Sequence, residues 1–506
     1  MGLWNSATSQ IFGPQIASRL ASAASAILRA NLRTAQQDGG YRLKIHPLET
    51  SAGLTEANLT FGFEVGEIER YGGGTALADN SAAFSTAASV FTGSATPGRL
   101  RLGPGTYRFT AGITLNASYC ALIGEQSVLE FSSVSAGDAV LVTGTVNPPY
   151  GQSRAIIEGV TITGNGSGGA VNGLHFYSAG SGAGPSRITL RNCAVTAFGT
   201  GELFDSNAYL ISHFDCEIYG NGNNVVTVGA PTNAGENINY HGGAIFNSPG
   251  YGVWIKGGTY DLHFYGTSID GCGSPSAGGL IRVENGELHF NGHLESISGE
   301  TAIYVPSTAS TCFITFNGYI AQDVAGGTAP LIDVQGPGYV TLLGGRIVAV
   351  SGTDTIVSMT AGRFANWGCE YQFGAGTTSE SFAAGVNFVS VVPNFQEFSL
   401  NYNVSASSVS VSSGVVDGSA NTVALAALST LYPISGGTPG GMLVFRDNTS
   451  GGAALFVGDS TAGMTALHNG ITGFNCLYSG GQLQVEVTSG TVPRTIAWAI
   501  LQSNKS

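Results

Sequence analysis

The segment 261–296, DLHFYGTSIDGCGSPSAGGLIRVENGELHFNGHLES, contains one short strand-like pattern twice. A glycine has a fixed place in this pattern, and further copies follow at steps of 24, 26, 26, 26 and 24 residues, at Gly242, Gly266, Gly292, Gly318, Gly344 and Gly368. A near-constant repeat of about 25 residues, with strands and no helix, is typical of a solenoid with one coil per repeat. Neighbouring coils would pair their strands in parallel, about 4.8 Å apart. The sequence therefore predicts an all-β fold, a right-handed parallel β-helix, with the handedness following the general bias of parallel connections.

The character of the chain changes on both sides of this repeat. Residues 113–393 are predicted to form the β-helix, and residues 41–112 a linker and N-terminal cap. Residues 1–40 are predicted to be a short helical segment, with the clearest helix over 15–37. From 394 to 506 the alternation of apolar and polar residues predicts an antiparallel β-sandwich, which would cover the open end of the solenoid. The cap should also contain an amphipathic helix, with apolar positions at Ala83, Phe84, Ala87, Ala88 and Phe91.

The composition excludes several classes of protein. The chain has 506 residues, a formal net charge of −13 and a hydrophobic content of 43%. So much apolar sequence argues against disorder. The acidic balance argues against nucleic-acid binding, which needs phosphate-neutralising side chains. No stretch of about 18 uninterrupted apolar residues predicts a membrane span, and no secretory signal is expected. The seven widely spaced cysteines are expected to be buried, reduced thiols.

Three short sequences near the start of the repeat region resemble the N-terminal cap of the pectate-lyase-like β-helix family. They are RYG (Arg70–Gly72), DNSAAF (Asp79–Phe84) and PGTY (Pro104–Tyr107). The later coils, between residues 236 and 296, are similar to the middle coils of bacteriophage tailspikes. The resemblance covers about residues 60–500. It is more specific for the fold than for an activity, because the family includes lyases, hydrolases and inert adhesins.

The resemblance implies a biological setting. Tailspikes are homotrimeric virion proteins that bind, and usually cut, a bacterial surface polysaccharide such as a capsule or an O-antigen. By this likeness the chain is expected to be a homotrimer of the phage tail that folds in the host cytoplasm. It would attach to a tail or adaptor protein through residues 1–40. No cofactor is implied, and no nucleic-acid or membrane partner is expected.

Carboxylates, histidines and aromatic rings concentrate between residues 204 and 300, where we place a candidate site. Sugar cleavage uses paired carboxyl groups, and aromatic rings stack on the apolar faces of sugars. Asp270 and Glu295 each follow an aliphatic residue of the repeat, one coil apart, so we expect them on one face as acid and nucleophile or base. A separation of about 5–5.5 Å would suit a retaining mechanism, and about 6.5–9.5 Å an inverting one. Glu236, at the mouth of the preceding coil, is the third catalytic candidate.

The candidates for substrate binding are other polar and aromatic side chains of this region, namely Glu217, His241, Tyr251, Trp254, Arg282 and His293. Glu217 shares the repeat phase of the carboxylate pair. His263 and His289, 26 residues apart, are expected to form a histidine ladder on a strand rather than to act in catalysis. No HxH or HExxH motif and no clustered acidic set is present, so we assign no metal ligands from the sequence.

The leading hypothesis is an endo-acting depolymerase, a glycoside hydrolase that cleaves a bacterial surface polysaccharide. Two alternatives stay open at this point. One is a lyase that acts by β-elimination on a uronate-containing glycan, with Arg282 as a candidate base. The other is a noncatalytic adhesin that only binds glycan. New reducing ends would indicate hydrolysis, ultraviolet-absorbing unsaturated ends would indicate elimination, and retention without shortening would indicate binding alone.

Overall fold

The computed structural model describes residues 45–60, 62–146, 155–180, 184–273, 279–296, 301–322, 329–349, 355–373, 378–383 and 386–390. Farther along the chain it describes the backbone of eight strands between 414 and 502. The helix expected over 15–37 lies outside the described residues. Among the described helices, none is long and apolar enough to cross a membrane. The chain forms two compact units: one runs to residue 337 and includes 346–358 and 371–380, and the other comprises 338–345, 359–370 and the residues from 381 onward.

The first unit begins with a small helical cap. Its elements are α1 (Pro47–Ser51), two 3₁₀ turns (Glu56–Asn58 and Ile68–Tyr71) and α2 (Ser81–Gly93). The amphipathic helix expected from the sequence is confirmed as α2, and its apolar stripe is buried, Phe84 completely. The Asp79 side chain lies just before this helix, and its Oδ1 accepts hydrogen bonds from the Ser81 hydroxyl (2.6 Å) and backbone N–H (3.0 Å). These bonds lower the pKa of Asp79 to about 2.

A buried ion pair fastens α1 to the start of the solenoid. Arg70 donates two hydrogen bonds to the Glu49 carboxylate, one of them 2.8 Å long, and a third to the Phe63 carbonyl at 2.9 Å. The Tyr71 hydroxyl donates to the same carboxylate at 3.1 Å. Glu49 and Arg70 are 0% and 1% exposed. Because both charges are removed from water, the pair is favourable only while these hydrogen bonds are all made.

Acid is expected to weaken this cap. Burial alone would raise the pKa of Glu49, but the hydrogen bonds and the charge of Arg70 outweigh it and hold that pKa below its ordinary value of 4.5. A carboxyl group whose pKa is lowered by folding stabilises the fold above its unfolded pKa, and this stabilisation is lost as the pH falls through the folded pKa. Below about pH 4.5, the urea midpoint should therefore fall more steeply in the parent than in Glu49→Gln. Equal slopes in the two proteins would contradict this expectation.

Strands β1 to β22 build the solenoid of the first unit. Their bounds are β1 Gly98–Leu102, β2 Gly105–Arg108, β3 Ile113–Asn116, β4 Cys120–Glu130, β5 Ala136–Thr143, β6 Ala155–Thr163, β7 Ala170–Phe176, β8 Ser186–Arg191, β9 Ala194–Thr196, β10 Thr200–Phe204, β11 Tyr209–Phe214, β12 Glu217–Tyr219, β13 Asn223–Thr227, β14 Ile238–His241, β15 Ala244–Phe246, β16 Val253–Ile255, β17 Asp261–Asp270, β18 Ile281–Val283, β19 Gly286–Ser296, β20 Ile303–Val305, β21 Cys312–Gln322 and β22 Ile332–Val334. Parallel pairing begins at β1, which pairs with β4.

These strands form two parallel sheets. The first sheet contains β1, β2, β4, β6, β8, β9, β11, β12, β14, β15, β17, β19 and β21, and the second contains β3, β5, β7, β10, β13, β16, β18, β20 and β22. Each coil thus supplies one long strand, or a pair of shorter ones, to the first sheet and a short strand to the second. This is the parallel β-helix that the repeat predicts.

The register between coils stacks like side chains in the core. Tyr240, Phe264, Phe290 and Phe316 are successive partners, all buried, with neighbouring ring centroids 4.9, 5.7 and 5.9 Å apart. Burying one such aromatic side chain contributes about 1.5–3 kcal/mol. A repeat that keeps an aromatic residue at one position therefore stabilises the stack as well as fixing its register.

The second unit contains strands that pair in parallel and strands that pair antiparallel. Its elements, with strands that extend from the first unit included, are β23 Gly338–Ala349, β24 Thr355–Met359, β25 Gly362–Asn366, β26 Glu370–Phe373, β27 Thr378–Phe382, β28 Asn387–Ser390, β29 Gly414–Val416, β30 Thr422–Ala424, β31 Gly440–Asp447, β32 Ala453–Asp459, β33 Gly463–Asn469, β34 Phe474–Ser479, β35 Gln482–Val487 and β36 Arg494–Gln502. Strand β25 pairs in parallel with β23 and β28. Strands β29 to β36 form two antiparallel sheets, ordered β29-β36-β31-β32-β33 and β30-β35-β34. Antiparallel pairing is thus confirmed in this region, and the packing of the two sheets as a sandwich stays a prediction.

The cysteines with described side chains behave as expected. All six are buried and none forms a disulfide: Cys120, Cys193, Cys216, Cys272, Cys312 and Cys369. Burial raises the pKa of the Cys120 thiol to about 12, so it is protonated at neutral pH. These thiols are core groups rather than nucleophiles.

Candidate functional site

The first sheet turns alternate side chains outward, and residues at one register position form columns along the solenoid axis. One such column runs through Thr196, Tyr219, Phe246, Asp270 and Glu295, each paired with the next. The rings of Tyr219 and Phe246 stack with centroids 4.8 Å apart and planes 6° apart. An aromatic platform therefore leads along the axis to the two carboxylates.

The structure brings Asp270 and Glu295 together. They are register partners on β17 and β19, both half-exposed, and carboxylate oxygens of the two lie within 4.8 Å of each other and of a ring nitrogen of His293. The Ser268 hydroxyl donates to Asp270 Oδ2 at 2.7 Å, and His293 Nε2 lies 3.4 Å from Glu295 Oε1. The other Asp270 oxygen, Oδ1, is shielded from solvent and accepts no hydrogen bond from a described residue.

A β-bulge in β17 sets this pairing. Before the bulge, paired residues of β17 and β19 lie 26 positions apart, and after it they lie 25 apart, with the shift directly after Tyr265. Gly266, inside the bulge, has a φ of 69°, in the left-handed region that favours glycine. Without the shift, Asp270 would lie opposite Ser296 instead of Glu295. Bulges commonly re-aim side chains at functional sites, and this one aligns the carboxylates.

A second outward column is made of rings. Phe214, His241 and Tyr265 are successive partners, with centroids 4.7 and 4.9 Å apart in nearly parallel stacks. The guanidinium of Arg191 lies 5.5 Å from the Phe214 ring centroid. Burial, together with the positive charge of nearby His213, lowers the pKa of His241. His241 is therefore a neutral ring at pH 7 and extends the apolar part of this face.

A third column contains two other sequence candidates. Glu217, exposed, pairs with Ala244, which pairs with Ser268, which pairs with His293. The His293 ring also contacts the Tyr319 ring, with centroids 4.9 Å apart. Glu217 therefore lies in the register of His293, three coils before it, and the expectation that it shares the register of the carboxylate pair is wrong; the residue of its coil in that register is Tyr219. His293 is next to Glu295.

Glu236 is placed elsewhere. It is exposed and precedes β14 by two residues, while Phe246, the residue that pairs with Asp270, is ten residues farther along the same coil. Its backbone carbonyl accepts a hydrogen bond from the Leu210 N–H at 2.7 Å. The structure does not bring this carboxylate to the Asp270–Glu295 pair.

Tyr251, Trp254 and Arg282 form a separate cluster at the second sheet. Trp254 on β16 pairs with Arg282 on β18, and Arg282 Nη1 donates to the Tyr251 hydroxyl at 2.8 Å. The Arg282 guanidinium lies 5.3 Å from the Trp254 ring centroid and binds Glu284 at 2.7 Å. Lys256 Nζ lies 3.7 Å from the same ring centroid. These residues make a cation–aromatic surface on a different sheet from the carboxylate pair.

One histidine of the candidate region faces the core. His213 is 1% exposed, and its ring stacks on that of Tyr240 with centroids 4.1 Å apart. Its Nε2 lies 3.2 Å from Glu202 Oε2, which also accepts a hydrogen bond from the Tyr240 hydroxyl at 2.7 Å. Burial alone would lower the pKa of His213, but the Glu202 charge outweighs it and the pKa is raised. His213 is thus part of an internal ion pair.

Two residues of the outer face, Phe246 and Ser268, are not part of any recognisable sequence motif and were not among the candidates. Phe246 lies four residues after its repeat glycine, the position that Asp270 takes in the next coil. Ser268 lies two residues before Asp270 and therefore points to the same side of the strand. Repeat position and strand alternation are the signals that place them beside the pair.

No protein-family model and no curated protein matches the chain. Among solved structures it is similar to the enzymatically active domain of tailspike protein 4 of bacteriophage CBA120, with 15% identity, a TM-score of 0.46, and coverage of 89% of this chain and 71% of that one. It is similar to the tailspike protein of Acinetobacter phage vB_ApiP_P1, with 13% identity, a TM-score of 0.37, and coverage of 90% and 91%. It is also similar to PfbA, a surface protein and adhesin of Streptococcus pneumoniae, with 11% identity, a TM-score of 0.37, and coverage of 63% and 99%. The strand register described above establishes the chain itself as a parallel β-helix.

Proposed function

We propose that this protein is a phage tailspike that binds a bacterial surface polysaccharide, a capsule or an O-antigen, on the outer face of its first sheet and hydrolyses it. The observation that carries the proposal is the column in which Tyr219 and Phe246 lead to Asp270 and Glu295. Aromatic rings stack on the apolar faces of sugars. A carboxyl pair supplies the acid and the nucleophile or base of glycoside hydrolysis. A glycan lying along the axis would meet both.

The spacing of the two carboxylates supports a retaining mechanism. One oxygen of each carboxylate lies within 4.8 Å of one oxygen of the other, and groups this close suit the separation of about 5–5.5 Å in retaining enzymes better than the 6.5–9.5 Å or so of inverting ones. One carboxyl group would protonate the glycosidic oxygen while the other attacks the anomeric carbon. Water would then hydrolyse the glycosyl ester, with the first group acting as base. The hydrogen bond from Ser268 fixes the orientation of the Asp270 carboxylate for its part in these steps.

The proposal extends to the assembly. The likeness of the coils between residues 236 and 296 to the middle coils of phage tailspikes is the basis for proposing a homotrimer of the virion tail, which would attach to a tail or adaptor protein through residues 1–40. Tyr251, Trp254 and Arg282 would provide a second contact region for the glycan, where a guanidinium and aromatic rings lie together. Hydrolysis by two carboxyl groups needs no cofactor.

The experiment is incubation of the protein with purified capsule and O-antigen from the bacterium that the phage infects. The proposal expects shorter chains with new reducing ends. Unsaturated ends that absorb ultraviolet light would show that the protein cleaves by β-elimination instead of hydrolysis. Glycan that is retained at unchanged length would show that the protein is an adhesin and not an enzyme. For a retaining hydrolase, proton NMR of the first product should show the anomeric configuration of the substrate.

Removing the aromatic platform is expected to weaken glycan binding. Phe246→Ala and Tyr219→Ala each delete a half-buried ring that would otherwise cover a sugar face, so we expect Kd to rise about tenfold, which corresponds to about 1.4 kcal/mol. Trp367→Ala, which removes an exposed ring of the second unit, is the control. Isothermal titration with an oligosaccharide measures all three. Unchanged Kd values in both platform variants would show that these rings are not part of the binding face.

A further inference from the structure

The outer face of β17 and β19 carries a second cluster, at the opposite end of these strands from the Asp270–Glu295 pair. Asp261 pairs with Glu287, and His263 pairs with His289. The two imidazole rings stack with centroids 4.5 Å apart and planes 10° apart. The histidine ladder expected from the sequence is therefore present. The structure adds the carboxylates beside it.

Both imidazoles direct Nε2 toward one oxygen atom. Asp261 Oδ1 lies 2.8 Å from His263 Nε2 and 3.4 Å from His289 Nε2, and the three atoms all lie within 4.8 Å of one another. In a tetrahedral metal site with bonds of about 2.0–2.1 Å, neighbouring ligand atoms are about 3.3 Å apart. Two of the three separations are already close to this value. Small side-chain rotations would bring His263 Nε2 and His289 Nε2 to the same distance from each other.

Hydrogen bonding does not account for this arrangement. Asp261 Oδ1 and His263 Nε2 are both shielded from solvent, and although they lie 2.8 Å apart, this contact is not aligned as a hydrogen bond; neither atom makes an aligned hydrogen bond with another residue in the described part of the chain. Polar atoms that are shielded and unsatisfied require an explanation, and a bound ion is one. The other ring nitrogen of His263, Nδ1, lies 3.1 Å from the Tyr265 hydroxyl. Such a partner is what orients metal-binding histidines in known sites.

We propose that Asp261, His263 and His289 bind a zinc ion that bridges two neighbouring coils. Zinc prefers imidazole and carboxylate ligands in a tetrahedral set, whereas calcium and magnesium prefer oxygen ligands alone. Three ligands leave a fourth position, which water fills or Glu287 reaches, since its Oε2 lies 3.6 Å from His289 Nε2. The side chains are 17–35% exposed, so an ion can enter from solvent. Asp261 and His263 lie on β17 and His289 lies on β19 of the next coil, so no short sequence motif contains all three ligands. The proposal does not depend on the catalytic role of the carboxylate pair.

The test uses the full-length protein, purified without a polyhistidine tag and dialysed against zinc. Metal analysis should find about one zinc ion per chain. Asp261→Asn and His289→Gln should each abolish stoichiometric binding, while His46→Gln, which changes an exposed histidine of the cap, should retain it. Cobalt in place of zinc should show the strong visible absorption of a tetrahedral ion in the parent and lose it in the first two variants.

The replaced side chains are partly exposed, so the variants should fold, and circular dichroism checks this. Zinc should raise the unfolding temperature of the parent but not of Asp261→Asn, because an ion that binds only the folded state stabilises it. Absence of zinc from the parent, zinc retained by both ligand variants, or zinc lost from His46→Gln would overturn the proposal. None of these readouts involves glycan cleavage, so they are independent of the proposed function.

Discussion

Replacing Asp270 by Asn, or Glu295 by Gln, is expected to lower polysaccharide turnover by roughly 10²–10⁴-fold while glycan affinity stays close to that of the parent. A carboxamide can neither transfer the proton nor form the glycosyl ester, so the loss falls on the transition state. Binding depends on the rings of Tyr219 and Phe246, which these substitutions do not touch. The kinetic constants kcat and KM on one polysaccharide, together with Kd for an oligosaccharide, measure the two effects separately.

Both substitutions are nearly isosteric and lie at half-exposed outward positions, so the free energy of unfolding should change by less than about 1 kcal/mol. Glu158→Gln is the matched control, because Glu158 is a half-exposed carboxylate on β6 of the same sheet and should not affect turnover. Near-parental cleavage by both Asp270→Asn and Glu295→Gln would show that the pair is not catalytic. Glu236 and Glu217 would then be tested next.

Replacing Arg70 by Met is expected to destabilise the fold by about 3–5 kcal/mol, because the change leaves the Glu49 carboxylate buried without its cation. Among the described residues, that carboxylate would keep the Tyr71 hydroxyl and the His46 backbone N–H as hydrogen-bond donors. Since this pair joins α1 to the 3₁₀ turn Ile68–Tyr71, the loss should loosen the helical cap. Denaturant unfolding followed by circular dichroism, at constant slope, measures the difference.

Two further variants separate the buried pair from surface charge. Glu130→Gln removes one partner of an ion pair with Arg108, which is 52% exposed, and should change stability by at most about 1 kcal/mol. The double variant Arg70→Met with Glu49→Leu should recover much of the loss, because it buries no unpaired charge. A single Arg70→Met variant within about 1 kcal/mol of the parent would show that the cap does not depend on this pair.

The repeat predicts most of the solenoid because its physical basis is local. Aliphatic and aromatic residues recur at fixed distances from a glycine, and each coil must place them in the same core, so spacing alone gives parallel stacking. The same logic places Asp270 and Glu295 at the same edge of neighbouring coils, but Asp270 is four residues after its repeat glycine and Glu295 is three after its own. The bulge at Gly266 is outside this logic, because the glycines at 266 and 292 are 26 residues apart while the carboxylates are 25 apart. A one-residue shift of register depends on how one coil packs on the next.

Other features could be found only from the structure, because the position of a residue along the chain does not show to which sheet, or to which face of a sheet, it belongs. Trp254 lies between Phe246 and Asp270 in sequence, yet it belongs to the second sheet and pairs with Arg282. His213 resembles the outward histidines in spacing, but strand alternation turns it into the core beside Glu202. The ligands at Asp261 and His289 come from different coils, so a search for short metal motifs finds neither.

The most direct test of the central claim is a crystal structure of Glu295→Gln bound to an oligosaccharide of the polysaccharide that the protein cleaves. The account predicts a glycosidic bond held between Asp270 and the new Gln side chain, with a neighbouring sugar stacked on Phe246 or Tyr219. An oligosaccharide bound only at the second sheet, against Trp254, would contradict it.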